Sequence, residues 1–205
     1  LLNYTPNMRL RRFAQTVTYA PHFISTVVIV GMLSSFMSPT SGFINTLISA
    51  LGGKPVYFFG KAGYFKHIYV WSDIWQSCGW GSIIYLAALS NVNPEHHESA
   101  IIDGANKFQR IIHIDIPAIM PTAVILLILS AGGIMNVGFE KTYLLQNNLN
   151  LKASEVISTY TYKVGLLQAQ YEYSTAIGLF NNVINFVMVI LVNRVSRILS
   201  GNSLW

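Results

Sequence analysis

The chain has 205 residues, of which 10% are charged and 52% are hydrophobic, and its formal net charge is +5. A soluble domain carries roughly 25% charged residues, so this composition excludes an ordinary soluble protein and indicates a membrane chain. The small and dispersed positive charge also argues against nucleic-acid binding. Cys78 is the single cysteine, and therefore no disulfide can form within the chain.

Four long windows contain no Asp, Glu, Lys or Arg, and each is long enough to cross a bilayer. They are residues 13–53, 74–94, 116–139 and 173–193. About 20 apolar residues cross a hydrocarbon core of about 30 Å as a helix, and a helix satisfies its own backbone in lipid. The sequence therefore predicts an all-α polytopic membrane helix bundle, a single transmembrane domain over residues 1–205. Its four spans are predicted at about 21–37, 67–90, 118–139 and 174–193.

The first half of the chain supplies two of these spans. Three arginines within residues 1–12 precede the first span, which we expect to begin near Pro21, because proline suits the first turn of a helix. The second span begins near His67. Trp71 and Trp75 lie four positions apart on one face of it, which is typical of rings that anchor a helix near the membrane surface.

A polar segment between the second and third spans contains the most regular motif. An Asn-Pro pair at 93–94 predicts the start of a short helix, which runs to Asp103 and is stopped by Gly104. A second short helix is predicted from Ala105, and Pro117 together with the next proline ends it and begins the third span. The apolar side of this second helix consists of Phe108, Ile111 and Ile112.

The last part of the chain holds a long loop and the fourth span. Residues 140–172 form the loop, within which residues 154–167 are predicted to be helical. By alternation, if residues 91–117 are cytoplasmic, then both ends are cytoplasmic and residues 38–66 and 140–172 face the outside. Lys and Arg are divided almost evenly between the two sides, so charge alone does not orient the chain.

The motif reads Glu98-Ser99-Ala100, then Asp103-Gly104-Ala105, then eight residues, then Ile114-Asp115-Ile116-Pro117. It resembles the Glu-Ala-Ala loop in permease subunits of type I, binding-protein-dependent ABC importers. That family's pattern is Glu-Ala-Ala, two or three residues, Asp-Gly-Ala, eight residues and Ile-x-Leu-Pro, from which Ser99 and Ile116 depart mildly. Further stretches look like the subgroup of these permeases that imports complex oligosaccharides, among them residues 18–25, 79–89 and 136–141.

The resemblance implies a MetI-like permease core without a catalytic site. It implies that this chain binds no cofactor and that ATP and Mg²⁺ are bound by a partner, the ABC ATPase. The other implied partners are a second permease subunit (a heterodimer is expected), an extracellular or periplasmic solute-binding protein, an oligosaccharide substrate and membrane lipid. The implied location is the bacterial plasma (inner) membrane, multi-pass, with both ends of this fragment cytoplasmic. Permeases of this group usually have six spans and this chain begins at Leu1 rather than Met, so we expect one or two further N-terminal spans.

The resemblance also assigns residues 95–117 as the cytoplasmic loop that docks on the ATPase. Two short helices that meet at Gly104 form an elbow, because glycine permits the left-handed turn that other residues resist. Glu98 is a fixed negative charge that can pair with a basic residue of the ATPase. The alternative is a solvated helical hairpin without a partner. The expected coupling residues are Glu98, Ser99, Ala100, Asp103, Gly104, Ala105, Ile114 and Pro117.

A sugar path requires aromatic platforms and amides, since sugar rings present C–H faces and hydroxyl edges. An Asn within a span is costly unless it faces a cavity or another helix, and Asn181 and Asn185 share one helical face. Hydrogen bonding between helices is the alternative explanation for these amides. The candidates for the substrate path are Tyr85, Asn136, Phe139, Asn181, Asn182 and Asn185.

A metal site is not expected from His96, His97 and His113. Adjacent histidines lie on different faces of a helix, and no cysteine or carboxylate spacing completes a ligand set. Asp73 and Glu140 lie at the ends of predicted spans, which counts against a proton-driven transporter. Two alternatives remain: a permease of the same family for peptides or other small solutes, and a secondary transporter or channel without an ATPase.

Overall fold

The computed structural model describes residues 7–205, and all secondary structure in that range is helical. The predicted all-α fold class is therefore confirmed. The α-helices in chain order are α1 (Met8–Tyr19), α2 (Thr26–Phe36), α3 (Phe43–Ala50), α4 (Ala62–Ser90), α5 (Pro94–Ile102), α6 (Lys107–Arg110), α7 (Ile116–Ala131), α8 (Phe139–Leu145), α9 (Leu151–Ser154), α10 (Ile157–Tyr162) and α11 (Tyr171–Ser200). Short 3-10 turns lie at Ala20–Phe23 and Phe58–Gly60, and π turns at Ile111–Asp115 and Lys163–Leu167.

The chain divides into two compact units. The elbow unit consists of residues 7–11, Trp80–Ile134 and Asn181–Trp205, and the α2 unit consists of Arg12–Gly79 and Met135–Phe180. The predicted coupling loop lies entirely in the elbow unit. The predicted outer segments, residues 38–66 and 140–172, lie in the α2 unit.

Fewer helices than predicted satisfy the length and composition expected of a membrane span. Among the described residues, two do so: Lys107–Ala131, which comprises α6, the first π turn and α7, and Tyr171–Ser200. A third is obtained if α1 and α2, which bend by 99° at a short break, are counted as one broken span. The second predicted span lies within α4. This helix has 29 residues and is long enough, but its Ser, Gly, Gln and Trp residues lower its mean hydropathy, and it is not among the candidate spans.

The helix of the first predicted span begins later than expected. Pro21 lies in the 3-10 turn, and α2 begins at Thr26. Ser25 is the N-cap, since its hydroxyl accepts a hydrogen bond from the Val28 N–H at 3.4 Å. A capping serine satisfies a first-turn donor that has no partner within the helix, which explains why the helix starts here and not at the proline.

The third predicted span differs from the structure at both ends. α7 ends at Ala131, and residues 132–138 form a turn followed by an irregular stretch, although the prediction continued the helix to Phe139. Gly132 and Gly133 explain this end, because glycine is about 1 kcal/mol less favourable than alanine in a helix. At the other end the helix does not start near residue 118 but is continuous from Lys107.

Apolar side chains of α2, α4 and α8 form the core of the α2 unit. Val30, Phe65, Ile68 and Leu145 are buried together. Beside this cluster, Lys141 of α8 is 5% exposed. Its Nζ lies 3.2 Å from Oδ1 of Asp73 on α4. The same ammonium lies 5.3 Å from the centroid of the Tyr69 ring. This ion pair fixes α8 against α4.

Candidate functional site

We define the elbow as residues 93–117. Its first limb is helix α5. Its start is the predicted one: Asn93 is the N-cap, Pro94 occupies the first turn, and Asn93 Oδ1 accepts a hydrogen bond from the Glu95 N–H at 3.1 Å. Proline needs no hydrogen-bond acceptor at this position, because first-turn N–H groups have no partner within the helix. The chain is thereby directed into α5 immediately after α4.

Gly104 turns the chain between the two limbs. Its φ is +78°, in the left-handed region that other residues enter at a cost of about 1–2 kcal/mol. The turn is closed by hydrogen bonds from the Ala105 N–H to the Ala100 carbonyl at 2.8 Å and from the Gly104 N–H to the Ile101 carbonyl at 3.0 Å. A Cβ at Gly104 would meet nothing within 4 Å, so backbone strain rather than space restricts this position. The predicted glycine turn is confirmed.

The second limb begins with a capping box. Asn106 Oδ1 accepts from the Gln109 N–H at 2.9 Å, and Gln109 Oε1 accepts from the Asn106 N–H at 2.8 Å. This reciprocal pair satisfies two donors at the helix start. Sequence reasoning placed the start at Ala105 and missed the Asn-x-x-Gln spacing, which is visible in the sequence. The helix begins at Lys107 instead.

Pro117 does not end this helix, contrary to the prediction. A proline inside a regular α-helix removes one hydrogen bond and collides with the carbonyl four residues earlier, which here belongs to His113. The helix accommodates it with the π turn Ile111–Asp115, in which the Ile116 N–H donates to the Ile111 carbonyl. The result is one helix of 25 residues, Lys107–Ala131. The second limb of the elbow is therefore continuous with a helix that can cross the membrane.

The two limbs contact each other through His97 and Asp115. His97 Nε2 of α5 lies 3.4 Å from Asp115 Oδ1 of the π turn, and the side chains are 23% and 8% exposed. Sequence reasoning considered His97 only as a metal ligand and treated Asp115 as the variable position of the motif. Nothing in the sequence pairs them, because they are eighteen positions apart.

The elbow exposes large apolar side chains on both limbs. On α5, Ile101 is 55% exposed and Ile102 is 85% exposed. On the second limb, Phe108 is 69% exposed and Ile112 is 40% exposed, while Ile111 of the predicted apolar face is half-buried. We call Ile101, Ile102, Phe108 and Ile112 the apolar rim. The apolar side predicted from the sequence lay only on the second helix and did not include the two isoleucines of α5.

The eight predicted coupling residues all lie in the elbow. Ser99 donates from its hydroxyl to the Glu95 carbonyl at 2.9 Å, so it is held within α5. The exposed members of the set are Glu98, Ser99, Asp103, Gly104 and Pro117, and the half-buried members are Ala100, Ala105 and Ile114. Their location suits contact with a partner, and their coupling role remains a prediction.

The predicted substrate-path residues are distributed over both units. In the elbow unit, α4 carries the half-buried Tyr85, and α11 carries Asn181, Asn182 and Asn185. Asn185 is 6% exposed, Asn181 is half-buried and Asn182 is exposed. In the α2 unit, Asn136 lies in the irregular stretch before α8 and Phe139 is the first residue of α8, and both are exposed. The substrate role of these six residues remains a prediction.

Phe139 belongs to an aromatic cluster that the sequence did not reveal. Its ring centroid lies 5.4 Å from that of Tyr143 and 5.1 Å from that of Tyr162, and the two tyrosine rings are 5.2 Å apart. These are the separations of favourable aromatic pairs. The spacing of Phe139 and Tyr143 predicts a shared helical face, but no sequence signal connects Tyr162 to them.

The histidines do not assemble a metal ligand set in the described part of the chain. Within residues 7–205, no group of three or more His, Cys, Asp and Glu side chains is arranged to hold a metal ion. His97 instead contacts Asp115. His113 Nδ1 lies 2.9 Å from the Gln109 carbonyl of its own helical turn.

Residues 2–200 match a protein family described as "Binding-protein-dependent transport system inner membrane component". This chain belongs to that family. The resemblance stated from the Glu98-Ser99-Ala100 and Asp103-Gly104-Ala105 motifs is thereby confirmed. A chain of this family is a multi-pass inner-membrane component of a transport system and not an enzyme.

Two curated relatives come from Bacillus subtilis (strain 168). "Protein LplB" is 40% identical over 197 residues, which is 96% of this chain and 62% of the relative. "Polygalacturonan/rhamnogalacturonan transport system permease protein YteP" is 39% identical over 197 residues, which is 96% of this chain and 61% of the relative. The chain thus spans about three-fifths of the length of these relatives.

A solved structure shares the fold. It is the crystal structure of a bacterial alginate ABC transporter in complex with an alginate pentasaccharide-bound periplasmic protein. Its matching chain is 40% identical with a TM-score of 0.95, over 99% of this chain and 70% of that chain. The MetI-like permease fold predicted from the motif is therefore confirmed.

Proposed function

We propose that this chain is the membrane-spanning permease subunit of an ATP-driven, binding-protein-dependent importer of oligosaccharides. In this proposal ATP and Mg²⁺ are bound by partner ABC ATPase subunits, and a second permease subunit and an external solute-binding protein complete the importer. The elbow and both ends of the chain face the cytoplasm, and residues 38–66 and 140–172 face the outside. Support comes from the family and from a structural neighbour that contains a periplasmic protein.

The apolar rim of the elbow is the observation that carries the ATPase contact. Ile102 and Phe108 are 85% and 69% exposed, and burying apolar surface contributes about 25 cal/mol per Å². Contiguous exposed apolar residues mark interaction sites, and an amphipathic helix typically lays such a face into a partner's groove. Glu98 adds an exposed negative charge on the same limb. A solvated hairpin without a partner would have no use for this rim.

The continuous helix Lys107–Ala131 gives the docked elbow a way to act on the membrane domain. ATP binding closes the ATPase dimer and displaces the apolar rim. The displacement passes along the helix, since the π turn keeps it unbroken at Pro117. The transport path then changes from inward to outward access.

An acidic oligosaccharide is the proposed cargo. YteP is named for polygalacturonan and rhamnogalacturonan, and the structural neighbours are transporters of alginate, an acidic polysaccharide. The segments assigned to the outside carry more lysines than carboxylates, which favours an anionic solute. Lys141 is buried and paired with Asp73. The remaining lysines are Lys54, Lys61, Lys66, Lys152 and Lys163, and the carboxylates are Glu140, Glu155 and Glu172.

The aromatic cluster and the asparagines are the proposed substrate contacts. Phe139, Tyr143 and Tyr162 offer ring faces against which the C–H faces of a sugar can pack. The amides of Asn181, Asn182 and Asn185, together with Tyr85 and Asn136, offer hydrogen-bond partners for hydroxyl and carboxylate groups.

Co-purification with the candidate ATPase tests the proposal. The complete protein is expressed with the ATPase as parent, as Ile102→Asp with Phe108→Asp, and as Leu51→Asp. Leu51 is 87% exposed, which matches Ile102, but it lies in the segment assigned to the outside. We expect the ATPase to be retained by the parent and by Leu51→Asp and lost from the double variant. No ATPase with the parent, or equal retention by all three, would refute docking through the apolar rim.

A further inference from the structure

Asp115 is a buried carboxylate at the base of the membrane-crossing helix. It is 6% exposed, and a buried charge is costly unless it is paired. His97 supplies a partner from the opposite limb, with Nε2 at 3.4 Å from Oδ1. The imidazole donates from Nε2 whether it is neutral in that tautomer or protonated. The side chains of His97 and Asp115 are 23% and 8% exposed, so the contact is shielded mainly on the side of the carboxylate.

The His97–Asp115 contact joins residues that are farther apart along the chain than those joined by the turn and capping hydrogen bonds of the elbow. The Gly104 turn and the Asn106–Gln109 box join residues no more than five positions apart. Those bonds fix the end of α5, the turn itself and the start of the second limb, and none of them reaches the π turn. The His97–Asp115 pair joins α5 to the π turn across eighteen positions, and therefore fixes the angle between the limbs.

The connection between the limbs needs such a restraint. Residues 103–106 are not helical, and Gly104 is a residue whose backbone rotates with little steric cost. The two backbone hydrogen bonds that close this turn are local, so displacement of α5 by a partner would otherwise be absorbed by distortion of the turn beyond Gly104. It would then fail to move the helix Lys107–Ala131.

Given the proposed function, we infer that His97 and Asp115 form a positioning clamp of the elbow. The clamp makes α5 and the base of the membrane-crossing helix one rigid lever. Movement of the docked apolar rim is thereby transmitted to the membrane domain. His97 and Asp115 are positioning residues and need no contact with the ATPase or the solute.

Distance measurements between two spin labels test the clamp directly. Cys78 is the single cysteine of these 205 residues. In the complete protein, Cys78 and any cysteine outside these residues are replaced by alanine, and labels are attached at Ile102→Cys on α5 and Met120→Cys on α7, positions that are 85% and 42% exposed. The variants are His97→Ala, Asp115→Ala, Asp115→Asn, the double alanine variant and His97→Lys. His113→Ala is the matched control, because His113 contacts only a carbonyl of its own turn among the contacts described.

We expect a narrow distance distribution in the parent and the control, and a broader one in His97→Ala and Asp115→Ala. The double variant should be no broader than either single variant, since both remove the same contact. His97→Lys should restore the narrow distribution, because it places a hydrogen-bond donor opposite Asp115. Asp115→Asn keeps the volume of the side chain and should broaden the distribution without unfolding. Unchanged widths, or additive broadening in the double variant, would overturn the clamp.

The transport consequence is measured separately. In the complete importer, loss of the clamp should reduce the solute moved per ATP hydrolysed while the ATPase still co-purifies. Unchanged solute per ATP in His97→Ala would overturn the transmission role. If the ATPase fails to co-purify even with the parent, the proposed function is wrong, whereas the spin-label result still decides whether the limbs are clamped.

Discussion

Replacing Asp73 with Asn is expected to destabilise this protein more than replacing its partner Lys141 with Met. Lys141 is 5% exposed, and its Nζ lies 3.2 Å from an Asp73 carboxylate that is 53% exposed. Asp73→Asn leaves a buried ammonium without its counter-charge. Lys141→Met fills the same space without a charge and leaves a carboxylate that water can solvate.

The magnitude follows from this unequal exposure. Breaking a fully buried pair by removing one partner costs about 3–5 kcal/mol, and an exposed pair contributes about 0–1 kcal/mol. Since one partner is buried and the other half-exposed, we expect about 1–3 kcal/mol for Asp73→Asn. The Tyr69 ring, 5.3 Å from the ammonium, limits the loss because a cation–π contact remains. For Lys141→Met we expect a loss of about 1 kcal/mol or less.

Thermal unfolding of the purified protein in detergent measures both variants. At about 2–4 °C per kcal/mol for a chain of this size, the two transitions should be resolved. Glu155→Gln is the control: it breaks the 2.8 Å contact with Lys163, in which both side chains are partly exposed, and should change the free energy of unfolding by about 1 kcal/mol or less. Equal or greater destabilisation by Lys141→Met would refute the reasoning, because the cost would not then come from an unpaired buried charge.

Three further predictions concern α4, the elbow and the cargo. Gly79→Ala should destabilise the protein by about 1–3 kcal/mol, because a Cβ there would collide with the Thr18 carbonyl. Gly81→Ala, whose Cβ would have nothing within 4 Å, should stabilise the protein by about 0.5–1 kcal/mol. Equal thermal transition temperatures for the two variants would contradict this difference. Gly104→Val should strain the left-handed turn by about 1–2 kcal/mol and weaken ATPase co-purification, whereas Gly63→Val, at an open helical position, should not. Reconstituted importer should take up a galacturonate oligosaccharide in preference to a neutral one of the same length, and equal uptake would refute an acidic cargo.

The general architecture was predictable because it depends on local composition. Most of each window without charge is helical, and the limits of α5 follow from Asn93 and Gly104, residues that act on their immediate neighbours. The 99° bend before α2 was not predicted, although the break at which it occurs, the extended backbone of Ile24 and Ser25, is local. A single serine carries little weight within a long apolar window, and hydropathy alone does not distinguish a straight span from a bent one.

The details of the site were less predictable because they depend on contacts between distant residues. The motif located the elbow, but not the His97–Asp115 contact or the approach of Tyr162 to Phe139. Each of these contacts requires the relative position of two helices, which composition does not determine. Exposure of Ile101 and Ile102 likewise depends on what the rest of the chain leaves uncovered.

Pro117 connects the continuity of the helix with the pairing of its buried carboxylate. A π turn inserts one additional residue into a helix, and one residue corresponds to a rotation of about 100° around the helix axis. The turn that accommodates the proline therefore also sets the direction of Asp115, its last residue. In a regular α-helix without the π turn, the side chains before and after Ile111–Asp115 would differ in direction around the helix axis by about 100° from the arrangement seen here. Asp115 could not then face α5 while the apolar side chains of α7 kept their orientation. The π turn that accommodates this proline thus explains both why the helix continues past Pro117 and why His97 can contact its base.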